Sequence, residues 1–458
     1  MFPIADAVSY GTPDAYLRTM ADGTIKQISP FTGTQVWTVP GRGDRPLGIP
    51  AVDPRPLQHD AHTRSCAFCS DNYLKTPPEK ARVVRAGENW STLVDVPIAR
   101  LFEQVAEFRR IPNLYEIVSL DYWRRNYGYR LPQGIADRMT RYLSEPAGRA
   151  HVLGLLRSKI PEARRADVDD EDLLEQQGAS FFGGTHDVIV ARRHFTDDAI
   201  DDSNLASSGT LTVEEHHQYT RFAIASLREL YAANRYARYV AVFQNWLKPA
   251  GASFDHLHKQ LVAIDERGVQ SELELARARV NPNLYNEAAV NFASYQNLVV
   301  AENDYAIAHS GFGHRYPTLE IFSKSPHSEP WNHTDEEVRG MSDLIHAVHA
   351  AVGADVPSNE EWHHKPPDVD VPMPWRVMIK LRVSTLAGFE GGTKIYLNTI
   401  SPVDLRDRVV PALFTLRERG RIAATVKIAE ECECLPNCLA YNPAVRRAAG
   451  DRLNPTVP

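Results

Sequence analysis

The sequence predicts an α+β protein made of a duplicated strand–loop–helix–strand unit, with helices packed on mainly antiparallel sheets. Three observations carry this. Runs rich in β-branched and aromatic residues alternate with amphipathic stretches opened by capping boxes. The stretch HDVIVARRHF…TVEE near residue 186 is echoed by LEIFSKSPH…TDEE near residue 319. With 458 residues, 43% hydrophobic and 24% charged, the chain can build a large core without staples, and bulk disorder is excluded.

The elements follow in chain order. Residues 24–40 place β-branched and aromatic residues on both sides of a turn at Thr32-Gly33, which reads as a hairpin, and an arginine-containing loop follows at 41–46. Residues 47–80 are rich in Pro, His and Asp and show no helical period. A strand is expected over Phe108–Ser119, interrupted at Pro112, and a helical insertion with a charged, solvated segment over 120–180. His186–Ala191 reads as a strand. Thr212-Val-Glu-Glu215 caps a helix reaching about Asn234, and strands follow at Tyr239–Phe243 and His256–Ile264. In the second half, Leu319–Phe322 reads as a strand, Thr334-Asp-Glu-Glu337 caps a helix to about Val352, and Trp375–Val383 is a strand. Trp362-His363-His364 reads as a solvated loop.

Composition narrows the function. A net charge of −7 disfavours non-specific nucleic-acid binding. No apolar run approaches the ~20 residues of a membrane span, and the N-terminal residues lack the basic and apolar regions of a secretory signal, so a cytoplasmic protein is expected. Five cysteines make no disulfide framework; in that compartment, paired cysteines point to metal or redox chemistry first.

The sharpest chemistry lies in Gly251-Ala-Ser253-Phe-Asp-His256-Leu-His258-Lys-Gln260. On a strand, alternate residues share a face, which would bring His256, His258 and Gln260 together, with Lys259 on the other side. Two imidazoles and an amide suit phosphate chemistry, because an imidazole can attack phosphorus while an amide N–H holds a non-bridging oxygen. Cys66-Ala-Phe-Cys69 is the second feature. Its spacing is half of a tetrahedral zinc site, and His59, His62, His186, His194 and His256 could supply the rest. Cys432, Cys434 and Cys438 could bind a metal with one more ligand, or pack as reduced thiols.

Together these residues resemble the galactose-1-phosphate uridylyltransferase family of the histidine-triad superfamily. The matching pieces run from the hairpin and Arg42-x-x-Arg45-Pro46, through Cys66-x-x-Cys69 and Thr76-Pro-Pro-Glu79, to Pro112-Asn113. They continue in Gly184-Thr-His-Asp-Val-Ile189 to His194, Phe243-x-Asn245, Gly251-Ala-Ser253 and His256-x-His258-x-Gln260, and end in Ala387-Gly-Phe-Glu390. They bracket about residues 24–420, and the His-x-His-x-Gln block is the specific one.

The resemblance implies duplicated histidine-triad-like units: a catalytic unit over 1–270, a second unit over 285–425 that completes substrate binding, and a cysteine-containing tail over 426–458. It implies Zn²⁺ held by Cys66, Cys69, His194 and His256, with His186 as the alternative to His194 because the spacing is one residue short. His258 would be the nucleophile. Gln260 and Ser253 would contact the transferring phosphoryl group, and Arg42, Arg45, Asn113 and Asn245 would bind phosphate, ribose or base. The implied partners are a nucleotide sugar and a sugar 1-phosphate of carbohydrate, specifically galactose, metabolism, with no nucleic acid or membrane, and a homodimer. The usual Pro and Gly beside the second catalytic histidine are Leu257 and Lys259 here. Residues 375–380 lack the His-x-His of the family's second metal site, so that site is expected to be absent.

The expected activity is a hexose-1-phosphate uridylyltransferase-like nucleotidyl transfer by double displacement through a histidyl-nucleotide. Alternatives are an ADP-sugar or dinucleoside-polyphosphate phosphorylase, a hydrolase, and a non-catalytic nucleotide sensor. Gln260 favours transfer over hydrolysis, because an amide cannot protonate a leaving group but can hold a phosphoryl oxygen.

Overall fold

The computed structural model describes residues 16–42, 49 and 53–443. Their centre is a twelve-stranded sheet in which every neighbouring pair is antiparallel. From one edge the strands are Asn89–Val94, Ala81–Ala86, Phe108–Pro112, His186–Ala191, His258–Ile264 and Tyr239–Trp246. Across a seam they continue as Ser358–His363, Arg376–Leu381, Thr318–Ser323, Ala306–Ser310, Val299–Glu302 and Lys427–Ile428. A separate four-stranded sheet joins Leu17–Thr19, Ile25–Ile28 and Gln35–Thr38 to Ile395–Leu397, the last pair being parallel.

One face of the large sheet is covered by the helices Val213–Ala233 and Asp335–Val352. Both start as their capping boxes dictate. Thr212 Oγ1 accepts from the Glu215 N–H at 3.2 Å while the Glu215 carboxylate accepts from the Thr212 N–H at 2.8 Å; Thr334 and Glu337 repeat this at 3.3 and 2.9 Å. Leu227, Leu344, Ile345 and Val348 pack these helices on Val240, Leu261, Ile321 and Ile379 in one buried core. Among the described residues no helix is long and apolar enough to cross a membrane.

Three expectations change. The strand from residue 108 ends at Pro112, whose ring cannot donate to a ladder. The helical insertion is present, but it has its own core of Val152, Leu156, Phe181 and Phe182, and Leu173 and Leu174 of the charged segment are buried in it. Trp362-His363-His364 is no solvated loop. Ser358–His363 is an inner strand at the seam, and Trp362 and His364 are buried. Cys432, Cys434 and Cys438 pack half-buried against a second core around Tyr285 and Leu298.

Candidate active site

The strand His258–Ile264 lies between His186–Ala191 and Tyr239–Trp246, paired Val190 with His258, Val188 with Gln260 and Phe243 with Gln260. His258 and Gln260 therefore share the sheet face away from the two long helices. His256, expected on the same strand, instead lies two residues before its start, in the loop. Gly251 shapes that loop with φ of +89°, a conformation that suits glycine.

Cys66, Cys69, His194 and His256 converge from three separate segments, with their ligand atoms all within 4.8 Å of one another. Cys66 Sγ lies 3.8 Å from Cys69 Sγ and 3.3 Å from His256 Nδ1. Cys69 Sγ lies 3.7 Å from His194 Nδ1 and 3.8 Å from His256 Nδ1. A tetrahedral ion with bonds of ~2.3 Å to sulfur and ~2.0–2.1 Å to nitrogen needs edges of roughly 3.3–3.8 Å, so the donor set fits a metal ion. His256 Nε2 donates to the Ala191 carbonyl at 2.7 Å, which turns Nδ1 toward the sulfurs. Hydrogen bonding from Cys66 holds the Cys69 thiol down, and that same bond, with burial, pushes Cys66 up. His186, the alternative ligand, lies elsewhere.

His258 is 5% exposed, with the Phe68 ring 5.3 Å from its own and Phe254 packed on Phe68. Its Nδ1 donates to the His256 carbonyl at 2.7 Å. That bond fixes the tautomer and leaves the Nε2 lone pair free. Burial pushes the imidazole down to about 4, against the stabilising backbone bond, so the ring is neutral at neutral pH.

Gln260 is oriented by His186, which the sequence offers only as an alternative metal ligand. The Ile117 backbone N–H donates to His186 Nδ1 at 3.1 Å, so the His186 proton must sit on Nε2. Nε2 lies 3.0 Å from Gln260 Oε1, which therefore accepts, and the Gln260 NH₂ group is left for another acceptor. Burial lowers the His186 imidazole and keeps it neutral. Asn113 Nδ2 is also 3.0 Å from His186 Nε2, but Asn113 Oδ1 accepts from the Tyr115 N–H, so this contact brings two donors together and the Asn113 N–H groups remain unspent. The alternation of HDVIV, facing that of HKQLV, is the signal that could have found His186.

The other expected site residues are less tightly tied to the strand. Asn245 is two residues from Phe243 on the same face of its strand. Ser253 is exposed in the loop before His256. Arg42 follows the N-terminal hairpin, its backbone N–H on the Val39 carbonyl, and makes no hydrogen bond to 256–260 among the described residues. Arg45 lies outside the described residues.

Lys259 does face away from the histidines, into the core rather than toward solvent. It is fully buried against Glu360, which also takes Trp362 Nε1 at 2.5 Å and His349 Nε2 at 2.8 Å. In the second half, under the helix Gly268–Val280, Arg376 is buried between Glu274 at 2.6 Å and Glu320 at 3.3 Å, with His314 Nε2 2.8 Å from Glu320. Burial alone would raise the Glu320 carboxyl, but His314 and Arg376 outweigh it and hold it well below the ordinary range.

A family model described as "Domain of unknown function (DUF4921)" matches residues 20–441, and the chain belongs to that family. A curated relative, ADP-glucose phosphorylase of Arabidopsis thaliana, is 27% identical over 177 residues, 36% of this chain and 50% of the relative. The chain thus spans about half the length of the curated relative it matches. Two solved structures share the fold. ADP-glucose phosphorylase from Arabidopsis thaliana with bound ADP-glucose aligns with a TM-score of 0.55 at 19% identity, over 84% of this chain and 98% of that one. A GalT-like protein from Arabidopsis thaliana aligns at 0.53 and 18% over the same shares. The α+β architecture with large antiparallel sheets is therefore that of the GalT-related proteins.

Proposed function

We propose that this DUF4921 member is a nucleotidyltransferase acting on a nucleoside-diphosphate sugar by double displacement, in the manner of a hexose-1-phosphate uridylyltransferase. The observation that carries the reading is the His258 imidazole: neutral, its Nδ1 pinned to the His256 carbonyl, its Nε2 lone pair free two residues from an amide that presents N–H groups.

In the first step His258 Nε2 attacks the α-phosphorus. The bond to the sugar 1-phosphate oxygen breaks, and its electron pair leaves with that oxygen. In the second step a phosphate oxygen of the acceptor attacks the same phosphorus, the P–N bond breaks and its pair returns to Nε2. Neither step needs a proton, which suits a site with Gln260 where an acid would otherwise stand. The Gln260 NH₂ group would hold a non-bridging oxygen, with Ser253 beside it. Asn113, Asn245, Arg42 and Arg45 would bind ribose, base or the remaining phosphate.

Cys66, Cys69, His194 and His256 would hold Zn²⁺ as a closed, structural site. When bound, the ion ties the loop at 66 to the residue two positions before the nucleophile. Two units, a catalytic one over 1–270 and a second over 285–425, with a tail beyond, would frame the site, and a cytoplasmic homodimer fits the reading. An ADP-sugar phosphorylase, in which inorganic phosphate is the acceptor, is the second reading. The named activity of the curated relative and of one fold neighbour supports it.

One experiment tests the reading. Purified protein is incubated with labelled UDP-glucose, UDP-galactose or ADP-glucose, quenched, and its intact mass and zinc content are measured. A mass gain of one nucleotide on His258, with about one zinc per chain, is expected, and the gained mass names the base. An unmodified protein with every donor would sink the transfer reading in favour of a sensor.

A further inference from the structure

The seam of the sheet puts a groove with apolar walls and a few polar side chains beside the catalytic strand. Tyr239–Trp246 pairs with His258–Ile264 on one side and with Ser358–His363 on the other, so the groove draws on both halves. It has a volume of about 390 Å³, within the ~300–1,000 Å³ typical of small-molecule sites; Phe243 and Trp362 are among its apolar walls, and Asn245, Asn359, Glu361 and Arg382 are among its polar groups.

Three of these form a relay whose hydrogen-bond directions are forced. Arg382 can only donate, so its contact of 2.8 Å makes Asn359 Oδ1 the acceptor. Asn359 Nδ2 must then donate, and it does so to Asn245 Oδ1 and to the Ala250 carbonyl, both at 2.8 Å. Asn245 has thus spent its oxygen and keeps its NH₂ group for an oxygen in the groove. Arg382 stacks on the Tyr316 ring at 4.6 Å, and its Nε is buried with no hydrogen-bond partner. The groove's carboxylate, Glu361, is already paired with Lys380 at 2.6 Å. Among the described residues Arg382 makes no ion pair of its own, so it is a cation without a counter-charge.

We propose that this groove is the acceptor subsite of the transfer reaction, in which Arg382, through Asn359 and Asn245, binds the phosphate dianion of the attacking substrate. The proposal rests on the transfer reading above. A phosphate oxygen held here attacks the phosphorus of nucleotidyl-His258. The new P–O bond replaces the P–N bond, whose pair returns to Nε2. Inorganic phosphate would give a nucleoside diphosphate and glucose 1-phosphate a nucleotide sugar. Both present the same dianion, and by reversibility the leaving sugar phosphate of the first step occupies the same place.

The test separates discharge by an anion from discharge by water, which needs no anion subsite. Wild type, Arg382→Gln and Arg382→Lys are charged with labelled nucleotide, and loss of the mass increment is followed with inorganic phosphate, with glucose 1-phosphate and with neither. Arg382→Gln should raise the acceptor KM roughly 10- to 100-fold, the worth of a charge-assisted hydrogen-bond pair, while the water rate stays within twofold. Arg382→Lys, which keeps the cation and loses the fork, should fall between, and serves alone if the Gln variant does not fold. The product formed tells which anion is the source. A wild-type acceptor KM in either variant overturns the subsite while leaving the transfer reading standing. A wild-type protein that accepts no nucleotide overturns both.

Discussion

The large sheet holds different groups around His258 in its first half and around Arg376 in its second. Around His258 the first half sets a neutral imidazole with a free lone pair and an amide, with a Cys₂His₂ cluster behind them. The second half holds a permanent charge, Arg376, locked between Glu274 and Glu320. A neutral base can form and break a bond to phosphorus. A guanidinium already neutralised by two buried carboxylates can do neither, and what it does instead is hold the helix Gly268–Val280 onto the sheet. On the proposed reading bond-making belongs to the first half and scaffolding to Arg376 in the second, and each assignment can be broken separately.

The largest effect should come from His258→Asn. It removes the attacking nitrogen and keeps most of the volume, so the trapped nucleotide should vanish and turnover should fall on the order of 10³-fold or more, with the melting temperature little changed. Wild-type turnover in this variant would dissolve the contrast between the halves.

Arg376→Met should act the other way. It leaves Glu274 and Glu320 buried without their cation and should cost about 3–5 kcal/mol in urea unfolding. Replacing Glu274 by Gln in the same chain should recover part of the loss. The folded fraction of Arg376→Met should form the histidyl-nucleotide at a rate within about twofold of wild type. Loss of that step at unchanged stability would move Arg376 from the scaffold into the chemistry.

The same contrast explains what was legible in the sequence. Thr212-Val-Glu-Glu215 and Thr334-Asp-Glu-Glu337 marked their helices because a capping box is closed by residues three apart. His258 and Gln260 were legible because period-two alternation puts them on one face without reference to anything distant. The strand Ser358–His363 was missed because Glu360 and Glu361 look solvated until their partners are known. Lys259 lies 101 residues from Glu360, and no local pattern announces that pair. Between His194, the expected metal ligand, and His186, its alternative, the structure brings His194 to the cysteines, as expected, and the place of His186 was the part no local pattern announced. His186 opens the strand His186–Ala191 and His194 follows it, and the pairing of that strand with His258–Ile264 sends His194 to the cysteines and His186 to Gln260.

The smallest effect sharpens the first half itself. If His186 works by turning the Gln260 amide, then His186→Ala frees Oε1 and lets the amide rotate. The rate of nucleotide transfer should fall about threefold to tenfold, the worth of one neutral hydrogen bond, with little change in donor binding. A buried histidine lost for any reason could lower activity by unsettling the fold, so the single variant decides little. The double-mutant cycle decides it. In a Gln260→Ala background there is no amide left to orient, so adding His186→Ala should change the transfer rate by less than about twofold. If the two losses multiply instead, His186 acts on the reaction by a route that does not pass through Gln260. The natural candidate is then the Asn113 amide, whose unspent N–H groups lie against the same ring, and His186→Ala in an Asn113→Ala background would be the cycle that closes the question.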